Sequence, residues 1–555
     1  MKNFIISLLF ITTLSMAQTG LVTQKSMVVS AREEASKIGS DMMKQGGNAF
    51  DAMIATELAL AVAYPYAGNL GGGGFMVYRE SNGKTGSLDY REKAPLAATK
   101  NMYLDENGNV IPGKSIESAF AVGIPGTIAG IFEVHRKFGS LPMETILKPI
   151  IALSQKGVVV TENQLKQVND HKAEIVRLNG SQTLFAKDLK VGDLIKYPAL
   201  AETLKRISKN GRDEFYKGET AKKLVAYLQQ KGGIITLQDL AIYQAVWRKP
   251  IAFKYRDLQI TSMAAPSSGG ICLAQIMKMI EPFDVAKLGH NSQKYIQLLT
   301  EAERRSYADR NFYLGDPDFV KIPQQQLIDP QYLKQRMADF TFEKATKSSD
   351  IAAGKITFSE SNETTHYSIV DAKGNAVSAT TTLNGAFGSK LYIDELGFFL
   401  NNEMDDFSSK PGTANSYGLI GAEANAIAPQ KRMLSSMTPT IVEKNGKLLM
   451  VLGTPGGSTI ITSVLQTILN VTEFNMSMQA AVDAPRFHHQ WLPDDISFEP
   501  RRFPEQTIEA LIQKGYNINE KNWPIIGKVD AILITPDGKR EAGADHRGDD
   551  NAYGF

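Results

Sequence analysis

The chain has 555 residues, of which 43% are hydrophobic and 22% are charged, and its formal net charge is +2. These fractions are typical of a soluble globular protein, and the near-neutral charge argues against nucleic acid or an anionic membrane surface as a partner. The chain is too long for one ordinary hydrophobic core, so we expect either two domains or one large interleaved domain.

The N-terminal stretch MKNFIISLLFITTLSMAQTG has the pattern of a secretory signal. Lys2 precedes an apolar stretch, and the small residues Ser15 and Ala17 then match a cleavage site. A membrane anchor is the alternative, but the apolar stretch is well short of the roughly 20 residues that a span needs. We therefore predict that residues 1–17 are removed and that the protein is exported, either to the periplasm or out of the cell.

The first half of the chain predicts a buried helix followed by a glycine-rich turn. The segment GGNAFDAMIATELALAVAYP predicts a helix that starts after Asn48, ends before Pro65 and is apolar almost all round. The four glycines of GNLGGGGFMVYRE lead into a strand and lack the Gly-Lys-Ser/Thr of a phosphate loop, so they indicate close backbone packing. Cys272 is the only cysteine, which excludes an intramolecular disulfide, and we expect it to be a packed residue of a buried helix.

The remaining elements predict an α+β fold. Residues from about 127 to 350 are expected to be mainly helical, and SQKYIQLLTEAERRSYADRNFYLGDP predicts an amphipathic helix that ends at Gly315 and Pro317. From about residue 364 the predicted elements are mainly strands, at 364–370, 376–383, 397–400, 439–444, 447–453 and 529–535. Helices are predicted near 458–474 and 503–514. Such a mixture indicates layers of helices packed on antiparallel sheets.

The segment TTHYSIVDAKGNAVSATTTLN predicts two strands joined by a three-residue loop that ends at Gly374. In this register Thr364 lies directly opposite Thr382 on the same face of the sheet. Such a pair can simply stabilise a sheet, and the hairpin alone favours that interpretation. A threonine becomes a nucleophile when its own free α-amine acts as the base, which would require a cut between Glu363 and Thr364.

Motifs along nearly the whole mature chain resemble, in the same order, those of the γ-glutamyltranspeptidases, which are N-terminal nucleophile hydrolases. Besides the hairpin segment, they are GGNAFDA, AGNLGGGGFM, DYREKAP, GIPGTIAG, NNEMDDFSSKPG, KRMLSSMTPT, GTPGGS and APRFHHQWLPD. The resemblance implies a four-layer αββα sandwich of the N-terminal nucleophile type and no cofactor. It also implies a large subunit, residues 18–363, and a small subunit, residues 364–555, that form an interleaved heterodimer after self-cleavage.

The resemblance also implies a reaction. The hydroxyl of Thr364 would attack the preceding carbonyl during maturation and then the γ-carbonyl of glutathione or another γ-glutamyl compound. Water, an amino acid or a peptide would accept the γ-glutamyl group from the resulting ester. Thr382 would orient the nucleophile, and the backbone N–H groups of Gly456 and Gly457 would form the oxyanion hole. Without the resemblance, the two glycines would be interpreted as a strand-to-helix turn.

The substrate's amino acid head group needs a cation and hydroxyls for its carboxylate and acidic groups for its ammonium. The resemblance assigns the carboxylate to Arg91, Ser435 and Ser436, the ammonium to Asp406 with Asn384 and Glu403 assisting, and a lid role to Tyr417 in the loop 410–432. Some bacterial relatives have glutamine at position 403, and the glutamate of this chain adds a negative charge that should help to bind the ammonium. The arginine alone would be interpreted as a surface ion-pair residue, the serines as turn residues and the loop as an ordinary surface loop.

Three alternatives bear on this interpretation. A metal site is not expected, because MDDF lacks companion ligands and the adjacent His488 and His489 should point apart in a strand. A glutaryl-type β-lactam acylase of the same superfamily is disfavoured, because a glutaryl group has no ammonium for Asp406 to bind. A catalytically silent exported binding protein is disfavoured by the intact Thr364 and Arg91.

Overall fold

The structure is a computed structural model that describes residues 20–351, 364–410, 423–521 and 524–555. The predicted signal, Glu363 and Tyr417 lie outside the described residues, so the statements about them stay predictions. Across the described ranges, no helix has the length and apolarity needed to cross a membrane.

Two seven-stranded antiparallel sheets form the centre of the protein, with strands and helices numbered here in chain order. In spatial order, sheet I consists of β21 (Asn551–Gly554), β2 (Met27–Ser30), β10 (Thr364–Val370), β11 (Ala376–Thr382), β3 (Gly73–Arg79), β4 (Thr85–Asp89) and β7 (Val246–Arg248). Sheet II consists of β1 (Val22–Thr23), β20 (Arg540–Ala544), β19 (Asp530–Ile534), β15 (Lys447–Gly453), β14 (Thr440–Lys444), β9 (Leu258–Ser262) and β8 (Ile251–Tyr255). Short strands elsewhere are β5 (Val158–Val159), β6 (Leu194–Ile195), β12 (Tyr392–Ile393), β13 (Phe398–Phe399), β16 (Phe487–His488), β17 (Ile496–Phe498) and β18 (Ile518–Asn519).

Along the described part of the chain, the helices lie between the first and the last strands of these sheets. They are α1 (Glu33–Lys44), α2 (Ala49–Ala63), α3 (Thr127–Phe138), α4 (Met143–Lys156), α5 (Glu162–Asn179), α6 (Pro198–Asn210), α7 (Arg212–Tyr216), α8 (Glu219–Gln230), α9 (Leu237–Ala241), α10 (Gly269–Ile280), α11 (Val285–Leu288), α12 (Gln293–Tyr313), α13 (Gln324–Leu327), α14 (Pro330–Arg336), α15 (Thr459–Thr472), α16 (Met478–Asp483) and α17 (Glu505–Gln513).

The sheets stack face to face and helices cover both outer faces, which confirms the predicted αββα sandwich. Successive strand residues point to opposite faces, so Val28 packs among the α1 and α2 side chains while Val29 faces sheet II. Residues such as Val370 and Ile441 fill the core between the sheets. On the outer face of sheet II, the core is formed with α10, α12 and α15. Both faces of each central strand are therefore buried.

Sheet I contains strands from both sides of the predicted cut. The hairpin β10–β11 lies in its middle, paired with β2 on one side and β3 on the other. At the edge, β21 near the C-terminus pairs with β2 near the N-terminus. The predicted boundary between residues 363 and 364 thus precedes a central strand, and the segments on either side of it share one sheet.

Helix α2 follows the sequence prediction closely. The Asn48 side chain accepts hydrogen bonds from the backbone N–H groups of Phe50 and Asp51, and Asp51 accepts one from the N–H of Asn48. This reciprocal cap starts the helix, and every residue of α2 is buried as expected. The glycines that follow allow close packing, since a Cβ on Gly72 would stand 2.1 Å from the carbonyl oxygen of Thr382.

Helix α12 departs from its prediction. An amphipathic helix exposes one face, but residues 295–311 of α12 are all buried. The charged side chains are accommodated by ion pairs, as in Arg305 Nη1 to Glu301 Oε2 at 2.6 Å and in the contact of Arg304 with Asp494. Helical periodicity does not reveal that other elements cover the charged face. Cys272 is buried within α10, as predicted.

Candidate active site

The predicted hairpin register is confirmed. Thr364 pairs with Thr382 and Val370 with Ala376 across β10 and β11. Gly374 ends the loop with a φ of +87°, a left-handed conformation that glycine adopts without strain. The three-residue loop that ends at Gly374 therefore sets the register that places Thr364 opposite Thr382.

The two facing threonines form a buried pair at the end of the hairpin. Thr364 Oγ1 lies 3.4 Å from Thr382 Oγ1 and can donate a hydrogen bond to it. The backbone N–H of Asn384 also donates to Thr382 Oγ1, at 2.7 Å. Thr382 therefore acts as an acceptor for both groups, which holds its oxygen next to the Thr364 hydroxyl.

A small cavity of about 20 Å³ opens beside this pair. Met437 and Ile460 line it together with residues that were predicted to take part in catalysis or substrate binding. These are Arg91, Thr364, Thr382, Asn384, Glu403, Asp406, Ser435, Ser436 and Gly457. These residues are separated by up to several hundred positions in the chain, and the fold brings them together. The volume admits about one water molecule, so an amino acid head group has to displace side-chain contacts to enter.

Arg91 is the cation of the cavity and is engaged by two acids. Its guanidinium contacts Glu403 through Nη1 and Asp406 through Nη2, and Nη2 also donates to the carbonyl of Leu434 at 3.2 Å. Burial lowers the pKa of Arg91, but the attraction of Glu403 and Asp406 outweighs this and raises its pKa above the ordinary value. The arginine is therefore charged, and its charge is balanced inside the protein.

The backbone of Arg91 is held by a buried ionic cluster around Asp89, the last residue of β4. Asp89 Oδ1 accepts the Arg91 N–H at 3.0 Å, and its other oxygen accepts Arg248 Nε at 2.6 Å. Arg432 Nε lies 3.2 Å from Asp89 Oδ1. Arg432 belongs to the segment that leads to Ser435, so one carboxylate links the two sides of the cavity.

Glu92 is a third acid near Arg91 and was not among the residues predicted for the site. Its Oε2 lies 3.9 Å from Arg91 Nη1, and both carboxyl oxygens are buried without a hydrogen bond in the described part of the chain. Burial raises the pKa of Glu92 to about 8, although Arg91 opposes the rise. Its position next to the arginine in DYREKAP was the available signal. The guanidinium of Arg91 therefore has three acidic neighbours, of which Glu92 does not line the cavity.

The acids and Asn384 sit on short irregular segments between the strands. Glu403 and Asp406 belong to the 3₁₀ turn Glu403–Asp406, whose first N–H is bound by the side chain of Asn401 at 3.0 Å. Asn384 has a φ of +73°, and its side-chain amide donates to the carbonyl of Asn402 at 3.0 Å. This bond joins the end of β11 to the acidic turn.

Gly456 and Gly457 lie at the junction between β15 and α15, as the turn interpretation predicts. Their φ angles are +133° and +56°, and a Cβ on Gly456 would stand 2.5 Å from Thr459 Oγ1. Gly457 lines the cavity, so the turn also borders the site. The position is compatible with an oxyanion hole.

The histidine pair has structural contacts. His488 Nδ1 lies 2.9 Å from Thr462 Oγ1, whereas His489 Nε2 lies 3.4 Å from Asp494 Oδ1. Burial lowers the pKa of His488 to about 4 and that of His489 to about 3, so both rings are neutral. The two rings contact different neighbours, in agreement with the interpretation that one site does not use both.

One group of possible metal ligands occurs in the described residues, away from the cavity. It consists of Asp483, Asp545 and His546. Asp545 already pairs with Arg486 at 2.6 Å and with Arg547 at 3.0 Å, and these positive charges oppose a bound cation. The group therefore carries no metal assignment.

Comparisons with known proteins identify the family of this chain. The family model described as Gamma-glutamyltranspeptidase matches residues 35–555. The protein named glutathione hydrolase proenzyme of Escherichia coli K12 is 45% identical over 537 residues, which cover 96% of this chain and 92% of that protein. The crystal structure of Helicobacter pylori γ-glutamyltranspeptidase aligns with a TM-score of 0.58 and 39% identity, covering 60% of this chain and 96% of that one.

A cephalosporin acylase from Bacillus halodurans shares the fold over a greater length. It aligns with a TM-score of 0.83 and 24% identity and covers 97% of both chains. At that identity the likeness concerns the fold alone. The family match and the 45% identity to the Escherichia coli protein extend over nearly the whole sequence. This chain therefore belongs to the γ-glutamyltranspeptidase family.

Proposed function

We propose that this protein is an exported, self-cleaving γ-glutamyltransferase and glutathione hydrolase. The observation that carries the proposal is the pairing of Thr364 with Thr382 beside a cavity that contains Arg91 and Asp406. Glutathione as donor and a processed precursor are both supported by the name of the Escherichia coli relative. The N-terminal signal pattern supports export.

Maturation begins with the bond between Glu363 and Thr364. The Thr364 hydroxyl attacks the carbonyl of Glu363, the peptide C–N bond breaks, and the acyl group moves to oxygen. Water then hydrolyses the ester, which leaves a large subunit of residues 18–363 and a small subunit of residues 364–555. The cleavage creates the α-amine of Thr364, the base that its hydroxyl needs.

Catalysis uses the same hydroxyl again. The α-amine takes the proton of Thr364 Oγ1 as the oxygen attacks the γ-carbonyl, and the backbone N–H groups of Gly456 and Gly457 stabilise the oxyanion. The leaving amine takes the proton, and a γ-glutamyl ester remains on Thr364. Attack by water yields glutamate, and attack by an amine yields a new γ-glutamyl compound. Thr382 orients the nucleophile through the contact of 3.4 Å.

Substrate binding exchanges one set of ion pairs for another. The α-carboxylate pairs with Arg91, and the α-ammonium takes the place of the guanidinium beside Glu403 and Asp406, with Asn384 assisting. A zwitterion leaves the net charge of the cavity unchanged and provides one cation for the acids, whereas an anion without the ammonium leaves two buried acids uncompensated. Ser435 and Ser436 provide hydroxyls for the carboxylate, and the family resemblance supports a lid role for Tyr417, which lies outside the described residues.

A glutaryl-type acylase would share the fold, but its substrate fits the charges of the cavity poorly. A glutaryl group lacks the ammonium that Glu403 and Asp406 require. Two substrates decide between the activities. The mature protein is expected to release the anilide from a γ-glutamyl anilide and to act at least a hundredfold more slowly on a glutaryl anilide. Preference for the glutaryl compound would reverse the assignment, and turnover of neither would favour the silent binding protein.

A further inference from the structure

A second arginine lies behind the serine pair of the cavity. Arg310 is in the last part of α12 and is 1% exposed. Its Nη2 donates to Ser436 Oγ at 2.9 Å, and its Nε donates to Ser268 Oγ, also at 2.9 Å. Arg310 does not line the cavity itself, so it reaches the site through these two serines.

The Arg310 contact decides the direction of the Ser436 hydroxyl. A guanidinium has no acceptor and stays protonated, so Ser436 Oγ must be the acceptor in this hydrogen bond. The proton of Ser436 then points elsewhere, and no group in the described ranges accepts it. Because Ser436 lines the cavity, that proton is available to a ligand there.

The hydroxyl of Ser435 is oriented in the same way as that of Ser436. The backbone N–H of Met437 donates to Ser435 Oγ at 3.1 Å, so this hydroxyl also accepts from behind. Like its neighbour, Ser435 lines the cavity and has no acceptor for its proton among the residues described. The two hydroxyls therefore present two donors and favour an anion.

The backbone of the serine pair is fixed by a segment next to α10. The N–H and the hydroxyl of Ser268 both donate to the carbonyl of Ser435, at 2.7 and 2.8 Å. Ser435 in turn donates its N–H to the carbonyl of Pro266 at 3.0 Å. Arg310 binds Ser268 as well as Ser436, so one guanidinium supports both the backbone and a hydroxyl of the pair.

We propose that Arg310 is a positioning residue that aims the Ser435 and Ser436 hydroxyls into the cavity and thereby selects a carboxylate at that end of the substrate. A carboxamide would direct its own N–H donors at these protons, and an ester would lack the charge. The inference rests on the proposed function, because it assigns the carboxylate of the γ-glutamyl group to this end of the cavity.

The test compares donor selectivity in the mature enzyme. A γ-glutamyl anilide and its α-carboxamide counterpart are assayed with wild type, Arg310→Gln, Arg310→Lys, Ser436→Ala and the double variant Arg310→Gln/Ser436→Ala. For Arg310→Gln we expect KM for the carboxylate donor to rise about tenfold to a hundredfold, the loss typical of a hydrogen bond to a charged group. We expect kcat to change less than threefold and the preference for carboxylate over carboxamide to fall at least tenfold.

The double variant separates this role from general packing. Because Arg310 acts in part through Ser436, the increase in KM of the double variant should be at least threefold smaller than the product of the two single increases. Arg336→Gln is the matched control, since Arg336 packs against α12 by pairing with Asp309 at 3.1 Å. It should lower stability without changing the selectivity. The proposal would be overturned if the two single increases in KM multiply in the double variant. It would also be overturned if Arg310→Gln keeps the wild-type preference for carboxylate over carboxamide.

Two further measurements keep the result decisive. If Arg310→Gln does not mature, Ser268→Ala weakens the same support and should still raise KM about threefold to tenfold; an unchanged KM refutes the proposal. Binding of L-glutamate to the mature proteins, measured by calorimetry, should weaken in parallel. A wild type that neither cleaves the anilide nor binds glutamate contradicts the proposed function, whereas an active wild type with unaffected variants contradicts only the role of Arg310.

Discussion

Thr364 and Thr382 stand directly opposite each other on neighbouring strands, with their hydroxyl oxygens 3.4 Å apart in the buried end of a hairpin. Neither side chain reaches solvent to an appreciable extent, with exposed fractions of 4% and 2%. The first lies at the predicted cut, and the second is held by the N–H of Asn384. Because the two hydroxyls belong to different residues, each can be removed by mutation while the other is kept.

Replacement of Thr364 tests the proposed self-cleavage. We expect Thr364→Ala to remain one full-length band on a denaturing gel, because the attacking oxygen is missing, and Thr364→Ser to give two fragments. Thr365→Val is the matched control, since the neighbouring residue is also buried and its hydroxyl has no hydrogen bond in the described chain. A Thr364→Ala protein that still matures and turns over substrate would show that another residue is the nucleophile.

Replacement of Thr382 tests its orienting role. Thr382→Val keeps the side-chain shape but removes the oxygen beside Thr364, so kcat of any matured protein should fall about threefold to tenfold, as for the loss of one neutral hydrogen bond. KM for the γ-glutamyl anilide should change little, and Thr382→Ser should retain most of the activity. Equal kcat values in Thr382→Val and wild type would mean that the pairing only stabilises the sheet.

Replacement of Arg91 by lysine tests how the carboxylate is bound. Lysine keeps the charge but cannot form two parallel hydrogen bonds to a carboxylate, so KM should rise about tenfold or more. Arg79→Lys is a suitable control, because Arg79 is also buried in sheet I and pairs with Glu443 at 2.7 Å, but it does not line the cavity. An increase in KM that both variants share would indicate a general effect on the sheet.

Glu57 predicts a pH dependence of stability. It lies on α2, where Tyr367 donates to its Oε2 at 2.5 Å, and burial raises its pKa from 4.5 to about 7 despite this bond. Between these values the unfolded chain loses a proton that the folded protein keeps, so this group makes the folded state less stable as the pH rises from about 4.5 to about 7.

The variant Glu57→Gln should remove that penalty, because the amide oxygen still accepts from Tyr367 and cannot ionise. Relative to wild type, the variant's free energy of unfolding should therefore increase across this pH range, by up to about 3 kcal/mol. Thermal unfolding between pH 4 and pH 8 measures the change. The exposed Glu106→Gln should leave the profile unaltered. A Tm difference between Glu57→Gln and wild type that does not vary with pH would contradict the assignment.

Local features of the fold were accessible from the sequence because they depend on neighbouring residues. The cap at Asn48, the ends of α2 and the register of β10 and β11 follow from spacing and from one glycine conformation. The predicted strand 447–453 matches β15, whereas 397–400 contains only the two-residue strand β13. Strands β20 and β21 were missed, although β20 forms a hairpin with the adjacent β19; only β21 pairs with a strand from the other end of the chain, β2.

The sequence by itself determined the hairpin register and, through the order of its motifs, the family and most of the residues that line the cavity. Only the tertiary structure decided that α12 is buried, that Glu92 lies beside the guanidinium of Arg91, and that Arg310 supports Ser436. Arg310 and Ser436 are 126 positions apart, and neither periodicity nor spacing relates them. The physical reason is that a hydrogen bond depends on distance and direction in space, which for remote residues are set by the packing of whole layers.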